Sequence, residues 1–219
     1  VAKHIKNCNY TLDRMRKGVK QLKSNDLSLK AFRIANKAML MQQYHGSLNQ
    51  DDTIAQKLDY NEVGVLPDGL KRGWRPFQLA FVLMNLNSID LVEDYDLRAN
   101  EIVDLIWFPT GGGKTEAYLG VAAYVIALSR LINPMSSHTE VLMRYTLRLL
   151  SAQQFERAAT LIMALELLRK NSEIDNLNAE SNLPITAGLW VGKGLTPNKF
   201  NDAKNELMAM RKSPSADNK

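Results

Sequence analysis

A run of three glycines between an apolar segment and a helical one constrains this chain more than any other feature. Asp104 to Phe108 is apolar after its first residue and reads as a strand. It ends in Pro109, Thr110, Gly111, Gly112 and Gly113, and the stretch Thr115 to Leu131 that follows reads as a helix. Lys114 and Thr115 stand at the junction. Strand, glycine turn, Gly-Lys-Thr and helix in that order are the context a phosphate loop requires. Glycines let successive backbone N–H groups turn around an anion with no Cβ in the way. The helix that follows directs its first N–H groups and the positive end of its dipole at the same anion. Lys114 is expected to meet the β- and γ-phosphates, and the Thr115 hydroxyl to be a ligand of Mg²⁺. These two are the expected catalytic residues. Thr110, Gly111, Gly112, Gly113 and Glu116 complete the set expected around the phosphates of ATP. The bland alternative is a glycine-rich turn with an incidental lysine, and the coincidence of all four features argues against it. The full pattern G-x-x-x-x-G-K-S/T is not met, because Phe108 stands where the first glycine would be.

The rest of the chain falls into two parts. Ile5, Leu12, Met15, Val19 and Leu22 recur at near-helical spacing, and Leu29, Phe32, Ala35, Met39 and Gln43 mark a second helix from Ser28 to Gln43. The next 30 residues, with Gly46, Gly64, Pro67, Gly69 and Gly73, read as loop. Phe77 to Leu86 reads as a helix. After Asp104–Phe108, Glu140 to Tyr145 and Ile185 to Val191 are further strand candidates. Leu147 to Arg169 and Asn198 to Met210 are helix candidates. Strand then helix, three times over, predicts an α/β fold with a parallel sheet. The expected division is a basic helical segment over 1–70 and a nucleotide-binding portion over 71–219. Three strands make a thin sheet, so the chain reads as the amino-terminal piece of a longer protein.

Composition narrows the class. The chain is 45% apolar and 23% charged over 219 residues, which is ordinary for a globular protein and excludes a collagenous or wholly disordered one. No uncharged run reaches the ~20 residues of a membrane helix, and no signal peptide is visible. Cys8, the one cysteine, has no internal partner for a disulfide, which fits a cytoplasmic location. His4, His45 and His138 are too scattered for a metal cluster. Charge is uneven. Residues 1–50 hold ten Lys and Arg against two acids, residues 51–110 five against eleven, and residues 111–219 thirteen against ten. The basic amino-terminal part suits either nucleic acid or a solvated helical face.

Three further segments carry candidate chemistry. Trp74-Arg75-Pro76-Phe77-Gln78 precedes the glycine turn. An amide such as that of Gln78 accepts from the N6 amine of adenine and donates to N7, which makes it either an ATP selector or a polar helix position. Trp74 or Phe77 is either an adenine cover or core. Met143 to Gln154 contains Arg144, Thr146 and Arg148 at a strand-to-helix turn. Guanidinium, hydroxyl and helix N–H groups suit a phosphodiester backbone, though each residue alone also reads as surface. Gly188 to Asn198 contains Lys193 between two glycines, which suits a phosphate contact or a loop capped by Thr196 and Asn198.

Thr110 to Thr115 resembles motif I of superfamily 2 helicases, where the first glycine is commonly replaced. The Trp74–Gln78 segment resembles their Q-type motif, and Met143–Gln154 their motif Ia. Phe32 to Met39, Phe77-Gln78, Phe108 to Tyr118, Met143 to Arg157 and Gly188 to Asn198 together resemble the helicase subunit of DISARM-type antiphage systems. The resemblance covers most of the chain from about residue 30. It implies a phosphate-loop, RecA-like three-layer parallel sheet, incomplete here, behind the helical amino-terminal segment. It implies ATP and Mg²⁺ as cofactors, DNA held through its backbone at Arg144, Thr146, Arg148 and Lys193, a protein partner in a defence complex, and no membrane. The function implied is that of the ATP-binding part of a DNA helicase or translocase. A nucleic-acid-binding module without turnover, or another phosphotransferase, is the alternative. The acidic pair that such helicases use to hold Mg²⁺ and polarise water is not found after Val191.

Overall fold

The computed structural model describes residues 2–46, 73–89, 103–107, 109, 111–144, 148–171, 183–190, 197 and 199–212. The regular structure among them is helical: α1 Ala2–Ser24, α2 Asp26–His45, α3 Pro76–Leu86, α4 Lys114–Ile132, α5 Arg148–Asn171 and α6 Phe200–Lys212, with a 3-10 turn Asn87–Ile89 after α3. The chain divides into two units, Val1–Thr186 and Ala187–Lys219. The first holds α1 to α5, and the second holds α6.

Local signals explain the helix starts. The Asn25 side chain caps α2 by accepting from the Ser28 N–H at 3.0 Å. Pro76 opens α3 at a position where a missing N–H costs nothing. Gly113 precedes α4 in a left-handed conformation.

The core lies around α4. Leu119, Ala123, Tyr124, Ala127 and Leu128 of that helix are buried. They share one cluster with Ile34, Ala35, Ala38 and Met39 of α2, Leu161 and Leu165 of α5, and Val82 and Leu86 of α3. Alanines on α2 and α4 bring the two helix backbones close, since interaxial distance depends on the side chains at the contact. By length and composition α4 is apolar enough to cross a membrane, but 61% of its apolar window is buried inside the protein. It is the central helix of the unit. α1 meets α3 at Gly18, where an added Cβ would stand 2.0 Å from the Leu83 carbonyl oxygen.

The expected parallel sheet is not present among the described residues. Among the described residues there is no strand, so the α/β, RecA-like reading of the fold is overturned. Residues 103–107, 140–144 and 185–190 have neither helical nor strand hydrogen bonding. The physical reason is visible in the exposure of many of their large apolar residues, although Ile185 is buried in the core cluster. Val103 is 93% exposed, Leu105 80%, Trp107 88%, Leu142 81% and Trp190 99%. A short apolar run meets the sequence condition for a buried strand, but a strand exists only with a neighbour to complete its ladder. These segments have none among the described residues.

Ion pairs and hydrogen bonds tie the irregular segments of the first unit to its helices instead. Arg14 of α1 grips both oxygens of Asp104 at 2.5 and 2.6 Å and donates to the Met84 carbonyl at 3.3 Å. Hydrogen bonding to Asp104 pushes the Arg14 guanidinium above its ordinary pKa. Buried Arg130 donates to the carbonyls of Leu183 at 3.3 Å and Pro184 at 3.0 Å. Glu166 of α5 accepts from the Ile185 N–H at 2.9 Å and from Arg169 at 2.7 Å.

Candidate functional site

The glycine turn is held from behind by α3. Gln78 Nε2 donates to the Gly113 carbonyl at 2.7 Å, and Gln78 Oε1 accepts from the Arg75 N–H at 2.8 Å. The Arg75 guanidinium donates to the Gly112 carbonyl at 2.8 Å. Within the turn, the Gly112 N–H and Lys114 Nζ both donate to the Pro109 carbonyl at 3.1 Å. Gly111 and Gly113 have φ of +79° and +84°, conformations that cost an L side chain strain. At Gly113 space is short as well, because a Cβ would stand 2.7 Å from Gln78 Nε2.

These bonds turn peptide carbonyls toward α3. Gly113, the cap of α4, has no side chain to close the first N–H groups of that helix, and no side-chain cap bond is made. An uncapped helix start at a glycine turn with a lysine is suited to an anion. Thr115 is positioned by Tyr118, whose hydroxyl lies 3.0 Å from Thr115 Oγ1 and 3.1 Å from Gln154 Oε1 of α5.

Beside the turn lies a cleft of about 530 Å³. Gly111, Gly113, Gln78 and Glu116 line it, together with Arg75, Arg157 of α5 and Gln42 at the end of α2. Arg157 is paired with Glu116 through Glu116 Oε1. Glu116 Oε2 and Gln42 Oε1 are both buried without a hydrogen-bond partner among the described residues.

The structure thus brings Gln78, Gly111, Gly112, Gly113, Lys114, Thr115 and Glu116 together at one helix start. Thr110 and Phe108 lie outside the described residues, as do Thr146 and Lys193. Arg144 is exposed at the end of the 140–144 segment, and Arg148 opens α5. Trp74 is packed under α4 against Gly120, where an added Cβ would come within 2.5 Å of its ring, and its indole N–H donates to Asn36 Oδ1 at 2.6 Å. Phe77 lines a separate apolar groove with Phe81, Met84 and Trp107.

Sequence reasoning missed Gln42, Arg75 and Arg157. For Arg75 a signal existed: a glutamine three residues into a helix closes back on the cap residue. Gln42 and Arg157 had no such signal, since each reaches the cleft only through helix packing.

No protein-family model matches the chain. Over 207 residues it is 39% identical to the DISARM protein DrmA of Bacillus paralicheniformis (strain ATCC 9945a / NCIMB 11709 / CD-2). The chain is related to a DISARM protein. The match covers 90% of this chain and 17% of that relative, so the chain spans about a sixth of the length of the protein it resembles. The glycine turn, the α3 brace and the cleft all fall within the first unit of the chain, Val1–Thr186.

Proposed function

We propose that this chain carries the ATP-binding loop of a cytoplasmic DISARM-type antiphage protein that couples ATP to movement along DNA. The defence role is supported by the relationship to the DISARM protein DrmA. The observation that carries the nucleotide reading is the uncapped start of α4 at Gly113, with its glycine carbonyls drawn back by Gln78 and Arg75. Carbonyls held away leave N–H groups as the polar surface offered to a ligand, which selects for phosphate oxygens.

Lys114 and the first N–H groups of α4 hold the terminal phosphates. Thr115, with its hydroxyl oriented by Tyr118, and the unpartnered Glu116 Oε2 are oxygen donors suited to a hydrated Mg²⁺. When bound with the triphosphate, that ion neutralises charge on its oxygens. Arg75 and Arg157 add positive charge along the cleft. DNA is held through phosphates by Arg144, Thr146, Arg148 and Lys193, without base reading.

Calorimetric titration with ATP tests the nucleotide reading. Lys114→Ala is expected to weaken binding at least ~10-fold, the loss of about 1.4 kcal/mol. Equal affinity in the two proteins defeats the assignment.

A further inference from the structure

Helix α1 carries an apolar seam that its own packing leaves exposed. Ile5, Leu12 and Val19 recur every seven residues and are exposed. Cys8 and Met15 stand three residues after Ile5 and Leu12, Cys8 exposed and Met15 half-buried. Residues spaced this way form one stripe along a helix, the a and d positions of a coiled coil. α1 packs on its own unit through another face. Gly18 and Gln21 are buried, Gly18 lies against the Leu83 backbone, and Arg14 grips Asp104. Ala2 to Tyr10 are exposed throughout. Single exposed apolar residues are ordinary on a protein surface, but a stripe in heptad register is the pattern of an interface.

Charge decides what fits the seam. α1 has seven Lys and Arg and one acid, Asp13, which lies 3.4 Å from Arg16. Arg16 and Lys23 stand one residue beyond Met15 and Leu22, at the positions that flank such a seam, and Lys20 follows Val19. All three are exposed. Flanking charges of this kind choose the partner, because opposite charges attract across the seam and like charges repel. A second copy of α1 would set two basic flanks side by side. A nucleic acid would meet the charges through its phosphates and leave the aliphatic residues without an apolar partner. A bilayer takes up a broad apolar face, and this seam is narrow.

We propose that the exposed seam of α1 is the docking site for an acidic amphipathic helix of a protein partner. Its apolar residues pack on Ile5, Leu12 and Val19, and its carboxylates face Arg16, Lys20 and Lys23. None of these residues lines the cleft at the glycine turn, so docking does not require a nucleotide.

Fluorescence anisotropy on the whole chain tests this with a labelled helical peptide of about three heptads, Leu at a and d and Glu at e and g. The same peptide with Lys for Glu is the control. The wild type is expected to bind the acidic peptide at least ~10-fold more tightly than the basic one. Leu12→Lys removes an apolar contact while adding positive charge, and is expected to weaken the acidic peptide at least ~10-fold. Arg16→Glu combined with Lys23→Glu is expected to reverse the preference between the peptides. These positions are exposed, and circular dichroism of each variant checks that the helices are kept. No binding of the acidic peptide by the wild type overturns the proposal, as do equal binding of the two peptides and acidic-peptide binding that Leu12→Lys leaves unchanged. Random-sequence DNA or phosphatidylserine vesicles are measured beside the peptides. If either binds more tightly than the acidic peptide, survives Leu12→Lys and is lost in the double variant, the face serves charge alone and the proposal is overturned. A dimer of the whole chain in sedimentation that Leu12→Lys dissociates makes the occupant a second copy, and likewise overturns it.

Discussion

Gln78 and Gly113, 35 residues apart, are joined by a 2.7 Å hydrogen bond from the Gln78 amide to the Gly113 carbonyl. That bond holds the Gly113 carbonyl on the α3 side of the glycine turn. Gly113 itself is disfavoured for any other residue on two grounds, its φ of +84° and the 2.7 Å that would separate a Cβ from Gln78 Nε2.

Gly113→Ala is therefore expected to destabilise the chain by about 1–2 kcal/mol, the cost of a left-handed alanine, with more from displacement of Gln78. Urea unfolding measures it. In a Gln78→Ala background the closest contact disappears, leaving Glu116 Oε2 at 3.3 Å, and the same change should cost less. Equal costs in both backgrounds would show that the close approach is not felt.

Gly18→Ala inverts an ordinary rule. Glycine inside a helix is usually worse than alanine by about 0.5–1 kcal/mol. Here the new methyl meets the Leu83 carbonyl oxygen at 2.0 Å, and α1 must move off α3. A loss of about 1–3 kcal/mol is expected from overpacking, read as a lowered Tm. A raised Tm would mean that α1 shifts freely.

Glu166 sets a pH dependence. Hydrogen bonding from Arg169, and then from the Ile185 N–H, holds its carboxyl below the usual range, against an opposing effect of burial. A carboxyl depressed in the folded state stabilises the protein above its unfolded pKa of about 4.3 and loses that contribution as pH falls through the lower folded value. Stability measured by denaturant from pH 7 downward should fall less steeply below about pH 4.3 in Glu166→Gln than in the wild type. At neutral pH the variant should be the weaker one. Parallel profiles would show that the pair has no net effect.

Arg148→Ala addresses the proposed DNA contacts. One phosphate contact removed should lower the slope of log affinity against log salt by about 0.7 for single strands, equally for unrelated sequences. Fluorescence anisotropy at several salt concentrations gives the slope. An unchanged slope with reduced stability would make Arg148 a structural residue of α5.

Much of the helical content was legible because its causes are local. Apolar residues at helical spacing, Asn25 before α2, Pro76 opening α3 and the Gly-Lys-Thr junction before α4 each act within a turn or two of their own position. The expected helices from Ser28, Phe77, Thr115, Leu147 and Asn198 correspond to α2 through α6 within about two residues at their starts. The clustering of Gly111 to Glu116 was legible for the same reason, since a helix start gathers its own neighbours. The strands were not, because the apolar runs at Leu105, Leu142 and Trp190 state what a strand would bury and say nothing about the ladder it would need.

The sequence by itself determined where helices begin and that a glycine turn meets the start of α4. Those outcomes follow from φ preferences, capping and periodicity, which act over a few residues. Only the tertiary structure decided that Gln78 is spent on the Gly113 carbonyl, that Trp74 packs on Gly120 with its N–H on Asn36, and that Gln42 and Arg157 reach the same cleft. Each of these joins residues tens of positions apart, and their meeting depends on how α2, α3 and α5 pack around the buried face of α4.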